Sequence, residues 1–199
     1  MPNITVYGPS MGTSFRVHWA LHEMGLAYEK KSVDFKTNEH RSPAFLALNP
    51  MGQVPLIDVD GFVLPESLAI TEYLTLKFAP AMLGSTPEDH AQVTRWSVWC
   101  MLNVNPAFGT LASVKWTGKE LEPTVKEAQM ASLAKYLPIL EAQLAGKEFI
   151  LGSFGLADVN VRATFQYPEM IGFDLSAYPN ITAWMARSAA RPAYAAATA

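Results

Sequence analysis

The sequence predicts an α/β domain at the start of the chain and an all-α helical domain after it. Short β-type runs alternate with helical periodicity up to residue 79, and no strand pattern follows residue 88. The stretch 80–87, which contains two prolines and a glycine, separates the two patterns and favours a linker. We therefore expect one domain over 1–79 and a second over 88–199.

The first domain is expected to fold in the order β-α-β-α-β-β-α. Val17, Leu21 and Met24 recur at helical spacing, and Asp60-Gly61 between two short apolar runs predicts a β-hairpin. The predicted strands cover 4–6, 28–33, 54–59 and 62–64. This order corresponds to a thioredoxin-like domain with a four-stranded mixed sheet.

Helical patterns account for the second domain. One long helix is predicted over 88–116, with a bend between residues 106 and 109 where a proline and a glycine occur. Leucines from residue 133 to residue 144 form the apolar face of another helix, in which Pro138 predicts a kink or a break. Gly155 is predicted at the N-cap of a third helix, with Asp158 three residues later.

Composition and charge exclude several classes of function. Half of the 199 residues are hydrophobic, and the net charge of −3 offers no basic surface for nucleic acid or an anionic membrane. The single cysteine, Cys100, excludes an internal disulfide and a zinc cluster built on thiolates. No basic segment followed by an apolar run marks a secretory signal. A cytoplasmic protein without a metal ion, nucleic acid or membrane as partner is expected.

Two short segments predict a site for a peptide-like ligand. Pro55 opens an apolar strand, and a cis bond between Val54 and Pro55 would expose the Val54 backbone for pairing with an extended peptide. Glu66 and Ser67 open a helix, where free N–H groups attract a ligand carboxylate and Glu66 suits a ligand ammonium. The expected ligand thus has a free amino acid at one end and a peptide in its middle.

The run from Asn49 to Pro55, followed by Glu66-Ser67, resembles the glutathione site of cytosolic glutathione transferases. The segment 39–43 upstream is most similar to the plant-type phi class. The resemblance is close over the first eighty residues and looser beyond them. It implies a bacterial, phi-like enzyme of the serine type, which forms a homodimer and uses glutathione as co-substrate.

The resemblance also implies roles for individual residues. Glu66 and Ser67 would hold the γ-glutamyl end of glutathione, and the backbone of Val54, before Pro55, would hold the cysteinyl part. The glycyl carboxylate would face three further side chains: His40, Arg41 and Gln53. Arg41 stands where the phi class usually has lysine, which retains the charge but changes its geometry. Helix capping by Glu66 and Ser67, and a solvated surface pair at residues 40 and 41, are the alternative interpretations.

The loop before the first helix is expected to activate the thiol of glutathione. A hydroxyl donated to sulfur near the positive end of a helix favours the thiolate. Ser10 and Thr13 are equal candidates for this hydroxyl, and Ser14 is the third, with capping of the first helix as its alternative role. If no hydroxyl activates the thiol, the backbone N–H groups at the start of that helix are the remaining candidates.

The same resemblance places a pocket for a hydrophobic electrophile between the two halves of the chain. Its expected walls are Met11, Phe35, Phe108, Leu111, Val114 and Trp116, although aromatic residues at such spacing are more often core. The predicted reaction is transfer of glutathione to an electrophilic carbon or reduction of a peroxide. The alternatives are a glutathione-dependent isomerase or dehalogenase, and a non-catalytic binding module of the same fold.

Overall fold

The computed structural model describes residues 1–198, and its first unit contains a four-stranded mixed sheet in the order β2-β1-β3-β4. The strands are β1 (Ile4–Tyr7), β2 (Glu29–Lys31), β3 (Leu56–Val59) and β4 (Phe62–Pro65). β1 pairs in parallel with β2 and antiparallel with β3, and β3 pairs antiparallel with β4. The predicted thioredoxin-like α/β domain is therefore confirmed. β2 and β3 are shorter than the sequence pattern, and β1 and β4 each extend one residue further.

The hairpin between β3 and β4 forms where the sequence predicts it. Asp60 has φ 54° and Gly61 has φ 89°, the positive values that a tight hairpin of this type requires at both central residues. Asp58 Oδ1 accepts a hydrogen bond from the Gly61 N–H at 2.8 Å and helps to hold the turn. The turn fixes the register of β4 against β3.

Helices cover both faces of this sheet. Its helices are α1 (Gly12–Glu23), α2 (Pro43–Leu48) and α3 (Ser67–Phe78), with a single 3-10 turn at Glu39–Arg41. Val17 and Leu21 of α1 and Ile70 of α3 pack on the face that carries Ile57 and Val59. On the opposite face a smaller buried cluster joins α2 to the sheet: Val33, Phe45 and Leu56. The alternation of β3 side chains thus separates two cores.

The second unit is helical, as predicted, and spans Ala81–Arg191. Its helices are α4 (Pro87–Trp99), α5 (Asn105–Ala112), α6 (Val114–Thr117), α7 (Pro123–Leu144), α8 (Leu156–Arg162), α9 (Gln166–Ile171) and α10 (Pro179–Ala189). The predicted apolar face of α7 is buried at Leu133, Leu137, Leu140 and Leu144. Gly155 is the N-cap residue of α8, and its N–H donates to Asp158 Oδ2 at 3.1 Å.

The predicted long helix over 88–116 is interrupted. A π-helical turn, Cys100–Val104, separates α4 from α5, with the Asn105 N–H bonded to the Cys100 carbonyl five residues earlier. Pro106 follows at once and has no N–H to offer the preceding turn, so a wider turn at this point is a common solution. By contrast, α7 continues through Pro138, so the break considered there is wrong.

The end of the chain also differs from the expected domain division. A further helix, α11 (Pro192–Thr198), groups with the first unit rather than with the helical one. Tyr194 is buried with its ring edge-on to Phe15 and Trp19, at centroid distances of 5.1 and 5.0 Å. The small alanine side chains around Tyr194 allow α11 to approach α1 closely. Within residues 1–198, no helix is long and apolar enough to cross a membrane.

Replacement of Tyr194 by alanine should destabilise the first unit. Tyr194→Ala leaves a cavity beside two aromatic rings, so the free energy of unfolding should fall by about 3 kcal/mol. Ala196→Ser on the exposed side of α11 is the control and should change stability by less than about 0.5 kcal/mol. Urea denaturation measures both. Equal stability of the two variants would contradict the packing of α11 on α1.

Candidate functional site

Three of the predicted ligand-facing segments meet at one end of the sheet. Tyr7, the last residue of β1, pairs with Leu56, the first residue of β3, which in turn pairs with Pro65 at the end of β4. Three segments therefore lie at the same end of the sheet. They are the loop after β1, the Val54-Pro55 bond that leads into β3, and the start of α3 after β4. The register alone brings together residues that are more than fifty positions apart in the chain.

Gly8 brings the first two of these segments into contact. Its φ of 137° favours glycine, and a Cβ atom built on it would lie 2.6 Å from Ser14 Oγ and 3.3 Å from Val54 Cβ. The backbone after β1 thus lies directly between the first turn of α1 and Val54. A side chain at this position would push the two apart.

Val54 is half-buried and precedes the strand ladder, as the sequence suggests. The Val54–Pro55 peptide bond is cis, as predicted, and the ladder between β3 and its neighbours begins only at Leu56. Asn49 is buried and supports this segment, because its Nδ2 donates to the Gln53 carbonyl at 2.8 Å and its Oδ1 accepts from the Met51 N–H at 3.1 Å. One amide side chain therefore fixes the turn that leads to Val54.

A second close approach of backbones joins the 3-10 turn to the Gln53 segment. Gly52 has φ 60°, and a Cβ atom built on it would lie 2.8 Å from the His40 carbonyl oxygen and 3.1 Å from Arg41 Nη1. Arg41 is exposed, and His40 stacks on Phe35 with ring centroids 4.9 Å apart. The His40 Nδ1 atom is buried and has no hydrogen-bond partner among residues 1–198. The three residues predicted for the glycyl carboxylate are thus neighbours.

The start of α3 has an unusual geometry. Glu66 adopts φ 72° and ψ 112°, which an L-residue rarely adopts and which costs of order 1–3 kcal/mol. It occupies the N-cap position, but its carboxylate is exposed and makes no capping hydrogen bond. The Ser67 Oγ accepts from Nη1 of Arg16 at 3.0 Å. Neither side chain caps the helix, so the alternative interpretation of Glu66 and Ser67 as simple helix caps does not hold.

Arg16 links the two helix starts. It is fully buried in α1 and donates across to the first residue of α3. A guanidinium remains charged at physiological pH, so it adds positive potential at the edge where the Glu66-Ser67 segment lies. The hydrogen bond leaves the Ser67 O–H free to donate to another acceptor.

The start of α1 has no side-chain cap. Met11 is the N-cap residue, with 45% of its surface exposed and no capping hydrogen bond, and the first turn carries no acidic residue. Thr13 and Ser14 lie inside this first turn, so the capping role considered for Ser14 is wrong. Ser14 is buried against Gly8, whereas Thr13 is half-exposed. The unpaired N–H groups of the turn favour a negative charge beside it.

Ser10 lies towards the neighbouring strand β2. Its Oγ accepts from Nζ of Lys30 at 2.7 Å, at the exposed edge of the sheet. The ammonium occupies a lone pair of the hydroxyl oxygen, so the O–H itself points elsewhere and can donate. Ser10 therefore retains a hydroxyl hydrogen for a ligand.

The residues expected to line an electrophile pocket fall into two groups. Phe108 is fully buried, edge-on to Phe165 and Phe173, which is the core position that the alternative interpretation expects. Leu111 is buried as well. The others present surface to solvent: Met11, Phe35 and Trp116 are exposed, and Val114 is half-buried.

Four polar side chains near the site received no role of their own from the sequence, although Asn49 opens the run that resembles the family motif: Arg16, His18, Lys30 and Asn49. Arg16 and His18 lie among apolar residues in the buried part of α1, where each polar side chain requires a partner. That pattern is visible in the sequence. Lys30 and Asn49 carry no such pattern, because only the folded chain shows which groups they bond. Among residues 1–198, no group of three or more His, Cys, Asp or Glu side chains is arranged to hold a metal ion.

Family models match both units of the chain. The model described as glutathione S-transferase, N-terminal domain, matches residues 2–75, and the model for the C-terminal domain matches residues 104–192. Glutathione S-transferase 3 of Zea mays is 35% identical over 208 residues, which covers 98% of this chain and 92% of the relative. The chain belongs to the glutathione S-transferase family.

Solved structures agree with this assignment. A glutathione S-transferase-I structure bound with the ligand lactoylglutathione is 28% identical, has a TM-score of 0.88 and covers 98% of each chain. A family member from Pseudomonas fluorescens, with two glutathione bound, is 26% identical with a TM-score of 0.87, covering 98% of this chain and 92% of the other. The plant relative agrees with the phi-like resemblance, whereas the expected bacterial origin and serine type gain no support.

Asn49 should be essential for the turn before Val54. Asn49→Ala removes two hydrogen bonds, so the free energy of unfolding should fall by about 1–3 kcal/mol. Asn49→Asp keeps the acceptor for Met51 but places a carboxylate oxygen against the Gln53 carbonyl. At neutral pH this variant should be at least as unstable as Asn49→Ala, and it should recover when acid protonates the carboxylate. Urea denaturation at two pH values tests this, and a stable Asn49→Asp at neutral pH would contradict it.

Proposed function

We propose that the protein is a glutathione transferase, which binds glutathione at this edge of the sheet and transfers its thiolate to a hydrophobic electrophile. The observation that carries the proposal is the meeting of three segments: the uncapped start of α1, the Val54 backbone before the strand ladder, and the Glu66-Ser67 start of α3. A family relative named as a glutathione S-transferase and a neighbour with bound glutathione support the choice of ligand.

The γ-glutamyl end of glutathione has a carboxylate and an ammonium, and the start of α3 suits both. The Ser67 hydroxyl and the free N–H groups of the helix would donate to the carboxylate, with the charge of Arg16 behind them. The exposed Glu66 carboxylate would accept from the ammonium. The strained backbone of Glu66 is consistent with a residue held for binding rather than for folding.

The remaining polar parts of glutathione have partners along the same edge. The cysteinyl N–H and C=O would pair with the backbone of Val54, before Pro55, as an added strand does. The glycyl carboxylate would lie near Gln53, with His40 and Arg41 held beside it by the contact at Gly52. These two interactions place the ligand sulfur towards the loop after β1 and the first turn of α1.

The thiol of glutathione must lose its proton before it can attack. An ordinary thiol pKa of about 8.5 leaves most of the sulfur protonated at neutral pH. The uncapped N–H groups of α1 and a hydroxyl from Ser10, Thr13 or Ser14 would stabilise the thiolate. The sulfur then forms a bond to an electrophilic carbon, and the electron pair of the broken bond leaves with the departing group or remains on the substrate. Met11, exposed beside these groups, offers an apolar contact for that substrate.

We also propose that the protein is a cytoplasmic homodimer, on the basis of the family resemblance alone.

Glutathione-affinity retention followed by turnover assays with a chlorinated nitroarene and an organic hydroperoxide tests the function as a whole. Retention with turnover supports transfer. Retention without turnover favours a glutathione-dependent isomerase or dehalogenase. The absence of both retention and turnover favours a non-catalytic module.

The binding half of the site makes a direct prediction. Gln53→Ala and Ser67→Ala each remove a hydrogen bond to a charged end of glutathione, so each should weaken binding by about 1.5–3 kcal/mol while the protein stays folded. Gln92→Ala, at an exposed position of α4, is the matched control and should leave binding unchanged. Isothermal titration calorimetry measures all three. Unchanged affinity in both site variants would show that glutathione binds elsewhere.

Thiol activation makes a separate prediction. Removal of the activating hydroxyl should raise the pKa of bound glutathione by about one unit, equivalent to about 1.36 kcal/mol, without loss of binding. Activity lost at neutral pH should return at higher pH, because the thiolate then forms without help. Ser10→Ala, Thr13→Val and Ser14→Ala separate the candidates, and thiolate absorbance against pH is the measurement. If all three titrate like the parent, the backbone N–H groups of α1 are the donors.

A further inference from the structure

His18 connects the interior of α1 to the loop that would activate the thiol. Its side chain is fully buried, and its Nε2 atom lies 3.2 Å from the Gly8 carbonyl oxygen. Ser14, one helical turn earlier in α1, packs against the Cα of the same glycine. Gly8 is therefore held at its Cα by Ser14 and Val54 and at its carbonyl by His18.

The hydrogen bonds around His18 form a chain in which each group donates to the next, from His22 through Tyr28 and His18 to the Gly8 carbonyl. A carbonyl only accepts, so Nε2 donates its hydrogen to Gly8. Burial lowers the pKa of His18 to about 4, against the opposing effect of the Gly8 carbonyl, so the ring is neutral at physiological pH and its Nδ1 accepts. The Tyr28 O–H lies 2.9 Å from Nδ1 and donates to it. The Tyr28 oxygen then accepts from His22 Nε2 at 3.3 Å.

This chain of donors holds a specific tautomer of His18. The tautomer with hydrogen on Nε2 is the one that can bond Gly8, and the Tyr28 O–H selects it by occupying Nδ1. The rings of His18 and Tyr28 also pack together, with centroids 5.4 Å apart. A neutral histidine in the other tautomer would place a lone pair against the Gly8 carbonyl and repel it.

We propose that His18, oriented by Tyr28, is a positioning residue that holds the Gly8 carbonyl so that the following loop presents its donors to the glutathione sulfur. This inference rests on the proposed function. Ser10 follows Gly8 by two residues, and Gly12, the first residue of α1, follows it by four. A shift of Gly8 would therefore displace both the candidate hydroxyl and the first N–H groups of the helix. Displacements of about 1 Å are enough to impair such stabilisation.

The charged groups near His18 oppose its protonation, and one of them also contacts the loop after β1. Lys30 from β2, which bonds Ser10, repels a proton on His18, and His22 from α1 acts in the same sense. Tyr28 is the remaining titratable group that faces the ring, and burial raises its pKa. Protonation of His18 would require Nδ1 to donate and Tyr28 to turn its O–H away. The positioning should therefore persist across the pH range in which glutathione thiol titrates.

The experiment separates positioning of the loop from binding of the ligand ends. S-methylglutathione has both ends of glutathione but no ionisable thiol, so its affinity reports binding alone. Thiolate absorbance of bound glutathione against pH reports activation alone. His18→Leu removes the donor to Gly8, and His18→Gln retains an N–H near the position of Nε2. His90→Gln, in α4, is the matched histidine control.

The expected result is a split between the two readouts. His18→Leu should bind S-methylglutathione within twofold of the parent, but raise the pKa of the bound thiol by about one unit, a tenfold loss of thiolate. His18→Gln should recover at least half of that shift, and His90→Gln should match the parent. Tyr28→Phe, which keeps the ring but not the O–H, should show a smaller rise in the same direction. Tyr28→Phe also tests the inference if His18→Leu does not fold.

Two results would overturn the inference, and they are distinguishable. A parent protein that lowers the thiol pKa, together with folded His18 and Tyr28 variants that lower it equally, overturns the positioning role and leaves the proposed function standing. A parent protein that does not bind S-methylglutathione overturns the proposed function and the inference with it. NMR of the imidazole nitrogens should in addition show hydrogen on Nε2 of His18 in the parent and a mixture of tautomers in Tyr28→Phe.

Discussion

The register of the antiparallel strands is the constraint on which the site depends. Tyr7, Leu56 and Pro65 are paired across β1, β3 and β4, so the chain leaves β1, enters β3 and leaves β4 at the same end of the sheet. A shift of one residue in any pair would turn the buried side chains of that strand towards the wrong face. Because both faces of this sheet carry a core, such a shift is strongly disfavoured. The stability of the fold and the alignment of the site therefore have the same origin.

Helix α1 transmits this alignment to the individual side chains. It is buried from Ser14 to Leu21, so each polar group on it needs a partner inside the protein. Arg16 has Ser67 at the start of α3, and His18 has the Gly8 carbonyl and Tyr28. A buried donor left without an acceptor costs about 1–3 kcal/mol, whereas a bond to a charged group contributes a similar amount when it is made. The need to satisfy buried polar groups thus fixes two site segments relative to one helix.

Much of this arrangement follows from local sequence. The hairpin was predictable because Asp60-Gly61 accepts positive φ at both positions, and the cis bond because a strand that opens with Pro55 needs a reason. The segments proposed to face the ligand were chosen from helix starts and strand ends. These features depend on residues close together in the chain, where propensity and periodicity are informative.

The features that could not be predicted depend on distant partners. The periodicity around Phe108 fits a core wall and a pocket wall equally well, and only Phe165 and Phe173 decide between them. The alanine-rich segment that forms α11 has no strong apolar face, so its packing on α1 depends largely on Tyr194. The π-helical turn at Cys100–Val104 lies just before Pro106, and the sequence showed only that a bend was needed nearby. Lys30 beside Ser10 is likewise a tertiary contact.

The central claim is that one ligand contacts the starts of α1 and α3 and the Val54 backbone at the same time. Residue-resolved hydrogen exchange with and without S-methylglutathione tests it most directly, because each contact involves a backbone N–H. We expect slower exchange on binding at Val54, at Ser67 and Leu68, and at the first residues of α1, with no change on the exposed face of α7. Protection confined to one of these segments, or found only in the helical unit, would contradict the account.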